Sequence, residues 1–441
     1  MSRTYSQTID YLYNSRPYGQ IKYGLYRIRE LLERLGNPQN SCPIIHITGT
    51  NGKGSVAATI ATVLTFHGLK TGLNISPHIV SFRERIQLDG HFIKEDEVVH
   101  LLEEMQPALE KMDAKGEEYS PSFFEVVTAM SFMYYREKQA DVAVVEVGLG
   151  GRFDASNIID SALVSIITSV GLDHMNILGD SEEKIAFEKS GIIKSGCPIV
   201  TGVTRPSVLR VIEETARNLN SPLYAYWRDF NATGRSYSIN DNIFDYYGYR
   251  TLENLHINLN GEHQTMNAAI SLKALELSFG RLGLEMREEA LRKALGRIFW
   301  PGRFEVMHVQ GKEIVLDGAH NPEAAKVLKK TVERYYPGQR LTILFGSLDD
   351  KDFESNIRAL APVADRVVVC RVPNHRSVHP ENVAGVWKRY ASNVEYIDSY
   401  REALDSLLKG GEKRFLICGS LYLVSELRNI LTGVKEYAGR R

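Results

Sequence analysis

Residues 46–56 read HITGTNGKGSV, a run in which Gly49, Gly52 and Gly54 surround Lys53. That composition suits a phosphate. Glycines let the backbone approach oxygen atoms closely, a helix opening there aims N–H groups at them, and a lysine adds a point charge. The common phosphate-loop spelling puts a hydroxyl directly after the lysine. Here Gly54 stands between Lys53 and Ser55, so Ser55 or Thr50 is the hydroxyl in reach of a metal. The plain alternative is a glycine-rich turn with one solvated lysine.

Further on, VAVVEVGLGGRFDASN brings a valine-rich run to its end at Glu146. A carboxylate at a strand end suits magnesium, which takes few protein oxygens beside phosphate and water. An edge carboxylate on a sheet is the plain alternative. VGLDHMNILGDSEEKIAFEKSGI brings His174 and Lys189. By residue type alone, His174 is a ligand or a hydrogen-bonded histidine, and Lys189 a solvated lysine on a charged helix. EIVLDGAHNPEAAK puts Asp317 at a strand end and His320 before Asn321-Pro322, which spells a helix start.

These residues need a scaffold, and the pattern supplies one. CPIIHITG reads as a buried strand, followed by a helix from Lys53 to His67 with Gly68 as its stop. Apolar strands then alternate with amphipathic helices, with a hairpin at RIQLDGHFI turning on Asp89-Gly90. The stretch from Tyr224 to Leu259 reads as short antiparallel strands. Pro301-Gly302 punctuates the chain, and the strand–helix alternation restarts beyond it. The expected fold is α/β: a mostly parallel P-loop-type sheet over residues 1–298, then a smaller Rossmann-like α/β domain over 299–441.

Composition narrows the classes. With 53 basic and 54 acidic residues, a net charge of -1 gives no footprint for nucleic acid or an anionic membrane. No run is long and apolar enough for a membrane span, and the opening residues lack a signal-peptide pattern. Cys42, Cys197, Cys370 and Cys418 form no C-x-x-C pair, so neither zinc nor a disulfide framework is expected and a reducing cytoplasm fits.

The chain contains, in order, HITGTNGKGS, SPHIVSFRERI, SFFEVVTA, VVEVGLGGRFDASN, GLDH, EKSGII, NGEHQTMNAAIS, WPGRFE and LDGAHNP, with CGSLYLVSE as a late element. This series resembles the folylpolyglutamate synthase / dihydrofolate synthase family of the Mur ligase superfamily. T-G-T-N-G-K-G-S is that family's own loop spelling. SFFE and DASN depart from the family's TFFE and DATN, and both keep the hydroxyl.

The resemblance implies an ATP-dependent ligase. It would phosphorylate a folate carboxylate and add L-glutamate to it, extending the γ-glutamyl chain. Dihydrofolate formation from dihydropteroate stays open. It implies Thr50, Asn51, Gly52, Lys53, Gly54 and Ser55 as the triphosphate cradle, with Asn267, Arg303 and Asp317 as further nucleotide contacts. Ser76, Glu146 and His174 are the implied ligands of two magnesium ions, and Lys189 the lysine carbamylated by carbon dioxide. Ser122, Phe123, Phe124, Glu125, Phe153, Asp154 and Ala155 match the acceptor-binding stretches. Phe123 or Phe124 is expected to stack a pterin, with core packing as the alternative. His320 joins Lys53 and Lys189 as a catalytic candidate, and His320 and Ser420 are placed near the glutamate site by location. The SPHIVSFRERIQLDG loop reads as mobile, with Arg83 and Arg85 facing the acidic folate tail or solvent. The expected partners are ATP, folate and L-glutamate, taken by a monomer.

Three rivals remain. A Mur ligase acting on a UDP-sugar peptide usually carries an extra leading domain, and only 48 residues precede Gly49. A P-loop kinase or switch would not depend on a glutamate acceptor. A binding protein with a dead site would not keep Lys53, Glu146, His174 and Lys189 together.

Overall fold

A computed structural model describes residues 3–16 and 24–433 of the chain. The expectation of no signal peptide rests partly on residues outside that range. The first sheet holds β1 Ile44–Thr48, β2 Thr71–Asn74, β3 Ile86–Leu88, β4 His91–Phe92, β5 Val142–Glu146, β6 Val164–Ile167, β7 Ile199–Thr201 and β8 Leu223–Ala225. Their order is β4-β3-β2-β5-β1-β6-β7-β8. All neighbours are parallel except at the β2, β3 and β4 edge, where the Asp89-Gly90 hairpin folds back.

β1 pairs with β5 on one side and β6 on the other. The chain leaves β1 through the helix Lys53–Phe66, crosses over β5 and lands in β2. Such a reversal of direction opens a crevice at the strands' carboxyl ends, where α/β sheets bind ligands. Gly49, Ser76, Glu146 and Thr168 therefore gather at one edge because each follows or ends a strand there.

Both faces of this sheet are covered, which is why its strands read as near-continuous apolar runs. Ile45, Ile47, Val144 and Ile166 pack under the helices Lys53–Phe66 and His263–Leu282. Ile44, Ala143 and Val145 face the helices Tyr5–Ser15, Tyr26–Arg34, Glu95–Asp113 and Phe123–Glu137.

A three-stranded antiparallel sheet follows: β9 Asn231–Ser238, β10 Asp241–Tyr247 and β11 Thr251–Ile257. It takes up most of the Tyr224–Leu259 stretch expected to be antiparallel; Tyr224 and Ala225 instead belong to β8, which runs parallel to β7 at the edge of the first sheet. The last sheet holds β12 Glu305–Val309, β13 Lys312–Leu316, β14 Leu341–Phe345, β15 Ala364–Val369, β16 Val394–Tyr396 and β17 Arg414–Cys418. Its order is β12-β13-β17-β14-β15-β16, with only the β12/β13 pair antiparallel. Asp317, Lys351 and Ser420 all lie beyond its carboxyl ends. Among the described residues, no helix is long and apolar enough to cross a membrane.

Candidate active site

The loop after β1 turns through Gly49 at φ 156° and Gly52 at φ 88° before the helix begins at Lys53. The glycines leave no room for side chains. A β-carbon on Gly49 would lie 1.9 Å from Thr168 Oγ1, and one on Gly52 would lie 2.7 Å from Asn267 Oδ1. One on Gly54 would lie 2.5 Å from the Trp300 ring. The additional glycine in the loop thus has a steric reason, since Trp300 rests against the helix where other phosphate loops carry a hydroxyl.

Lys53 Nζ folds back to donate to the Gly49 carbonyl at 3.0 Å. Thr50 Oγ1 donates to Gly171 O and accepts from Gly171 N, and Asn51 N donates to Ser169 Oγ at 2.9 Å. The loop is therefore fastened to the segment after β6. Ser55 is buried, and its Oγ accepts from Gln264 Nε2 at 3.3 Å.

Glu146 is only 4% exposed at the end of β5, and its Oε2 accepts from Ser76 N at 3.3 Å. Burial pushes its carboxyl up to about 7, against the pull of Lys53, the Ser76 N–H, Arg303 and Arg85. Such a carboxylate gains from a nearby cation, which would restore its charge. His174 follows β6. It adopts a left-handed φ of 50° beside Asp173, with its imidazole half-exposed. Glu146 and His174 both lie within electrostatic reach of Lys53.

Lys189 departs from its plain reading. It is 3% exposed, with no hydrogen bond or ion pair to its Nζ among the described residues. Burial, followed by repulsion from Lys53, pulls its ammonium down to about 7, against attraction from Asp173 and Asp154. Helical periodicity missed this because Lys189 faces inward under the 148–157 loop. That loop packs so tightly that a β-carbon on Gly151 would lie 2.8 Å from the Lys189 carbonyl. Arg152 N bonds Glu188 O at 2.9 Å, and Asn157 Nδ2 bridges the Arg152 and Gly191 carbonyls.

The same loop carries Phe153, which is 52% exposed, and the buried Asp154 and Ala155. Asp154 takes N–H groups from Leu149 and Ser156, so it shapes the turn as well as offering charge. Phe124 borders the turn, since a β-carbon on Gly148 would lie 2.6 Å from its Cζ. Phe123 instead stacks on Tyr13 at 4.9 Å inside the core, so core packing describes it. Ser122 and Glu125 cap the helix reciprocally, and Glu125 also pairs with the buried Arg27.

The SPHIVSFRERI loop is fastened, contrary to the expectation of mobility. The Glu84 carboxylate accepts from the N–H groups of Ile79, Val80 and Ser81. Arg85 is buried and donates to His78 Nδ1 at 2.7 Å, so it is not a solvated arginine.

From the other sheet, Asp317 follows β13 and accepts from Phe304 N and Ala319 N. Burial raises its carboxyl, with Arg303 pulling the other way. Arg303 adjoins Gly318, where a β-carbon would lie 2.7 Å from the guanidinium. His320 Nδ1 lies 2.8 Å from Gly318 O, and burial pushes its ring down to about 4. Asn267 lies against Gly52 and donates to Gln264 Oε1. Ser420 is 2% exposed and caps the last helix through Tyr422 N, a capping role and not an open one.

Two joints across the cleft escaped the sequence reading. Asn321 Nδ2 reaches Asn51 Oδ1 at 3.2 Å and Asp173 Oδ2 at 3.3 Å. Lys351 Nζ donates to Asp173 Oδ1 at 3.2 Å. Burial opposes charge on Asp173, yet Lys351, His174 and His320 hold its carboxyl well below the usual range. In the motif GLDH residue type points to the histidine rather than to Asp173, and SLDDKD resembles a solvated charge run.

The Mur ligase middle domain family matches residues 47–275, and the Mur ligase glutamate ligase domain family matches residues 302–421. The chain is 34% identical to the dihydrofolate synthase/folylpolyglutamate synthase of Bacillus subtilis over 98% of this chain and 100% of that one. It is 35% identical to the folylpolyglutamate synthase of Lacticaseibacillus casei, over 93% of this chain and 95% of that one. The folylpolyglutamate synthase structure from Thermotoga maritima superposes with a TM-score of 0.87 at 41% identity, covering 98% and 97% of the two chains. The Mycobacterium tuberculosis enzyme complexed with ADP and AMPPCP superposes with a TM-score of 0.89 at 30% identity, covering 98% and 99%.

Proposed function

The chain belongs to the folylpolyglutamate synthase / dihydrofolate synthase family of Mur ligases, and from that premise we propose how its residues share the work. It is an ATP-dependent ligase that adds L-glutamate to a folate. In the reaction a folate carboxylate takes the γ-phosphoryl group of ATP. The α-amino group of glutamate then attacks the acyl phosphate, forming an amide and releasing phosphate. The carrying observation is a convergence. The glycine loop, Lys53, Glu146 and Lys189 meet at the carboxyl ends of one sheet, facing Arg303, Asp317 and His320 from the other.

The loop fits a triphosphate. Its three glycines stand where any β-carbon would collide, and the helix N-terminus beyond them opens toward the crevice. Thr50 and Ser55 complete the cradle. Lys53 leaves its carbonyl partners to meet the β and γ oxygens. Asn267, Arg303 and Asp317 hold the rest of the nucleotide.

Two magnesium sites fit the donor set, one at Ser76 and Glu146 and one at His174. Bound there, magnesium supplies positive charge to phosphate oxygens that repel the incoming carboxylate. A buried Lys189 amine near pH 7 is partly neutral, the form that takes up carbon dioxide, so a carbamate at Lys189 fits as well. Phe124, Phe153, Asp154 and Ala155 line the acceptor's pterin end, and His320 stands toward the incoming glutamate. Phe123, Ser122, Glu125 and Ser420 act from behind as packing and caps. One chain provides both sides of the site, which is consistent with an enzyme that works as a monomer, and four cysteines without a C-x-x-C pair fit a reducing cytoplasm.

The test is product mass from pure protein given ATP, glutamate and either tetrahydrofolate or dihydropteroate. Glutamyl units added to tetrahydrofolate support the reading. Addition to dihydropteroate as well makes the enzyme bifunctional. An amide on a UDP-linked sugar, with no folate product, overturns it.

A further inference from the structure

His46 lies inside β1, two residues before the strand ends, and is fully buried. Its face of the strand points away from the phosphate helix, toward the 148–157 loop. Its Nε2 lies 2.9 Å from Ser156 Oγ, while its Nδ1 has no partner. Ser156 Oγ in turn lies 2.6 Å from Asp154 Oδ1. Thr48, two residues on, donates from Oγ1 to Gly150 O at 2.6 Å.

The protons can be assigned. Both Asp154 oxygens already accept from backbone N–H groups, Oδ2 from Leu149 and Oδ1 from Ser156. The carboxylate is therefore the acceptor for the single Ser156 hydroxyl proton. Ser156 Oγ then has only a lone pair to offer, so His46 donates from Nε2–H. The ring is neutral, and burial agrees, pushing it down to about 3. Its Nδ1 lone pair is left buried and unpaired. An apolar side chain at this position would avoid that cost, and the flanking Ile45 and Ile47 are apolar.

We propose that His46 is a positioning residue for the acceptor site. Through Ser156 it aims the Asp154 carboxylate, and with Thr48 it ties the acceptor loop to the strand that carries the phosphate loop. β1 thereby holds acceptor and phosphate in one frame, as a reaction between two bound partners requires. This rests on the reading that Phe153, Asp154 and Ala155 line the acceptor site.

Steady-state kinetics of the full chain test it, with ATP, glutamate and either acceptor. His46→Leu should raise the acceptor KM about tenfold, leave the ATP KM unchanged and leave Tm equal or higher. His46→Gln, whose amide donates from the place of Nε2, should restore most of the loss. If His46→Leu does not fold, Ser156→Ala breaks the same chain and must give the same acceptor-specific rise. Asp154→Asn separates the two ideas. An acceptor KM moved by Asp154→Asn but untouched by His46→Leu and Ser156→Ala overturns the relay and keeps the site. An acceptor KM that none of the three moves overturns both. Equal rises in the KM values of ATP and acceptor, or no recovery in His46→Gln, reduce His46 to a packing residue.

Discussion

Lys351 and Asp173 form an ion pair across the cleft, 3.2 Å from Nζ to Oδ1, with side chains only 11% and 15% exposed. One belongs to the loop after β14, the other to the loop after β6. Either single change deprives a largely buried charge of its nearest partner, a loss of about 1–3 kcal/mol, since Asp350 at 3.8 Å still faces Lys351 and Asn321 still donates to Asp173. Lys351→Met and Asp173→Asn should each lower Tm, and the double variant should recover part of it. Ligation should stay low in all three. Additive Tm losses in the double variant would show that the pair is not coupled.

Lys53→Ala should abolish ligation with the fold intact. Among the described residues the side chain hydrogen-bonds only to carbonyls of its own loop, so unfolding should shift by about 1 kcal/mol or less. The lost charge faces phosphate, and removal of one such group typically lowers turnover about 100- to 1,000-fold. Near-normal product formation by a folded Lys53→Ala protein would remove Lys53 from the site.

Gly54→Ala tests the steric account of the loop. Its methyl group would enter the Trp300 ring at 2.5 Å, overpacking that costs roughly 1–3 kcal/mol and displaces the helix start. ATP binding should weaken. Trp300→Leu in the same chain should restore binding, because it vacates the space. Full ATP affinity in Gly54→Ala alone would contradict the contact.

Glu146 sets a pH dependence in the metal-free, nucleotide-free protein. Its carboxyl stands at about 7 when folded and near 4.5 when free. The folded state therefore binds more protons between those values, and this group makes stability fall as pH rises through the window. The cost is fully present above pH 7 and absent below pH 4.5. Glu146→Gln should match the parent at pH 4 and exceed it by roughly 1–3 kcal/mol at pH 8, with ligation lost. Denaturant titrations at the two pH values measure it, and an equal gain at both would refute the burial account.

Lys189 has the opposite window. Its ammonium stands at about 7 folded against 10.5 free, so the unfolded chain holds more protons between them. Stability should rise with pH across that window, and Lys189→Met should flatten the rise. Lys189→Ala should be nearly inactive and partly rescued by acetate. A fully active Lys189→Ala enzyme would exclude a part for the lysine.

The sequence by itself determined what local pattern can encode. Glycine spacing around Lys53, the valine run ending on Glu146 and the N-P helix start after His320 each span a few residues, and the strand–helix alternation gave a parallel sheet whose carboxyl ends had to hold the site. Periodicity also set element bounds closely, as with the helix expected to His67 and ending at Phe66. Only the tertiary structure decided which side chains lost water. Lys189 reads as an exposed charge beside Glu188 and is buried, because the 148–157 loop closes over it. Phe123 and Phe124 are equivalent in sequence, yet one enters the core and the other borders Gly148. Asp173 and Lys351 are 178 residues apart, and His46 and Ser156 are 110 apart. Pairings over such separations leave no periodic trace, since their partners meet only after the sheets are packed.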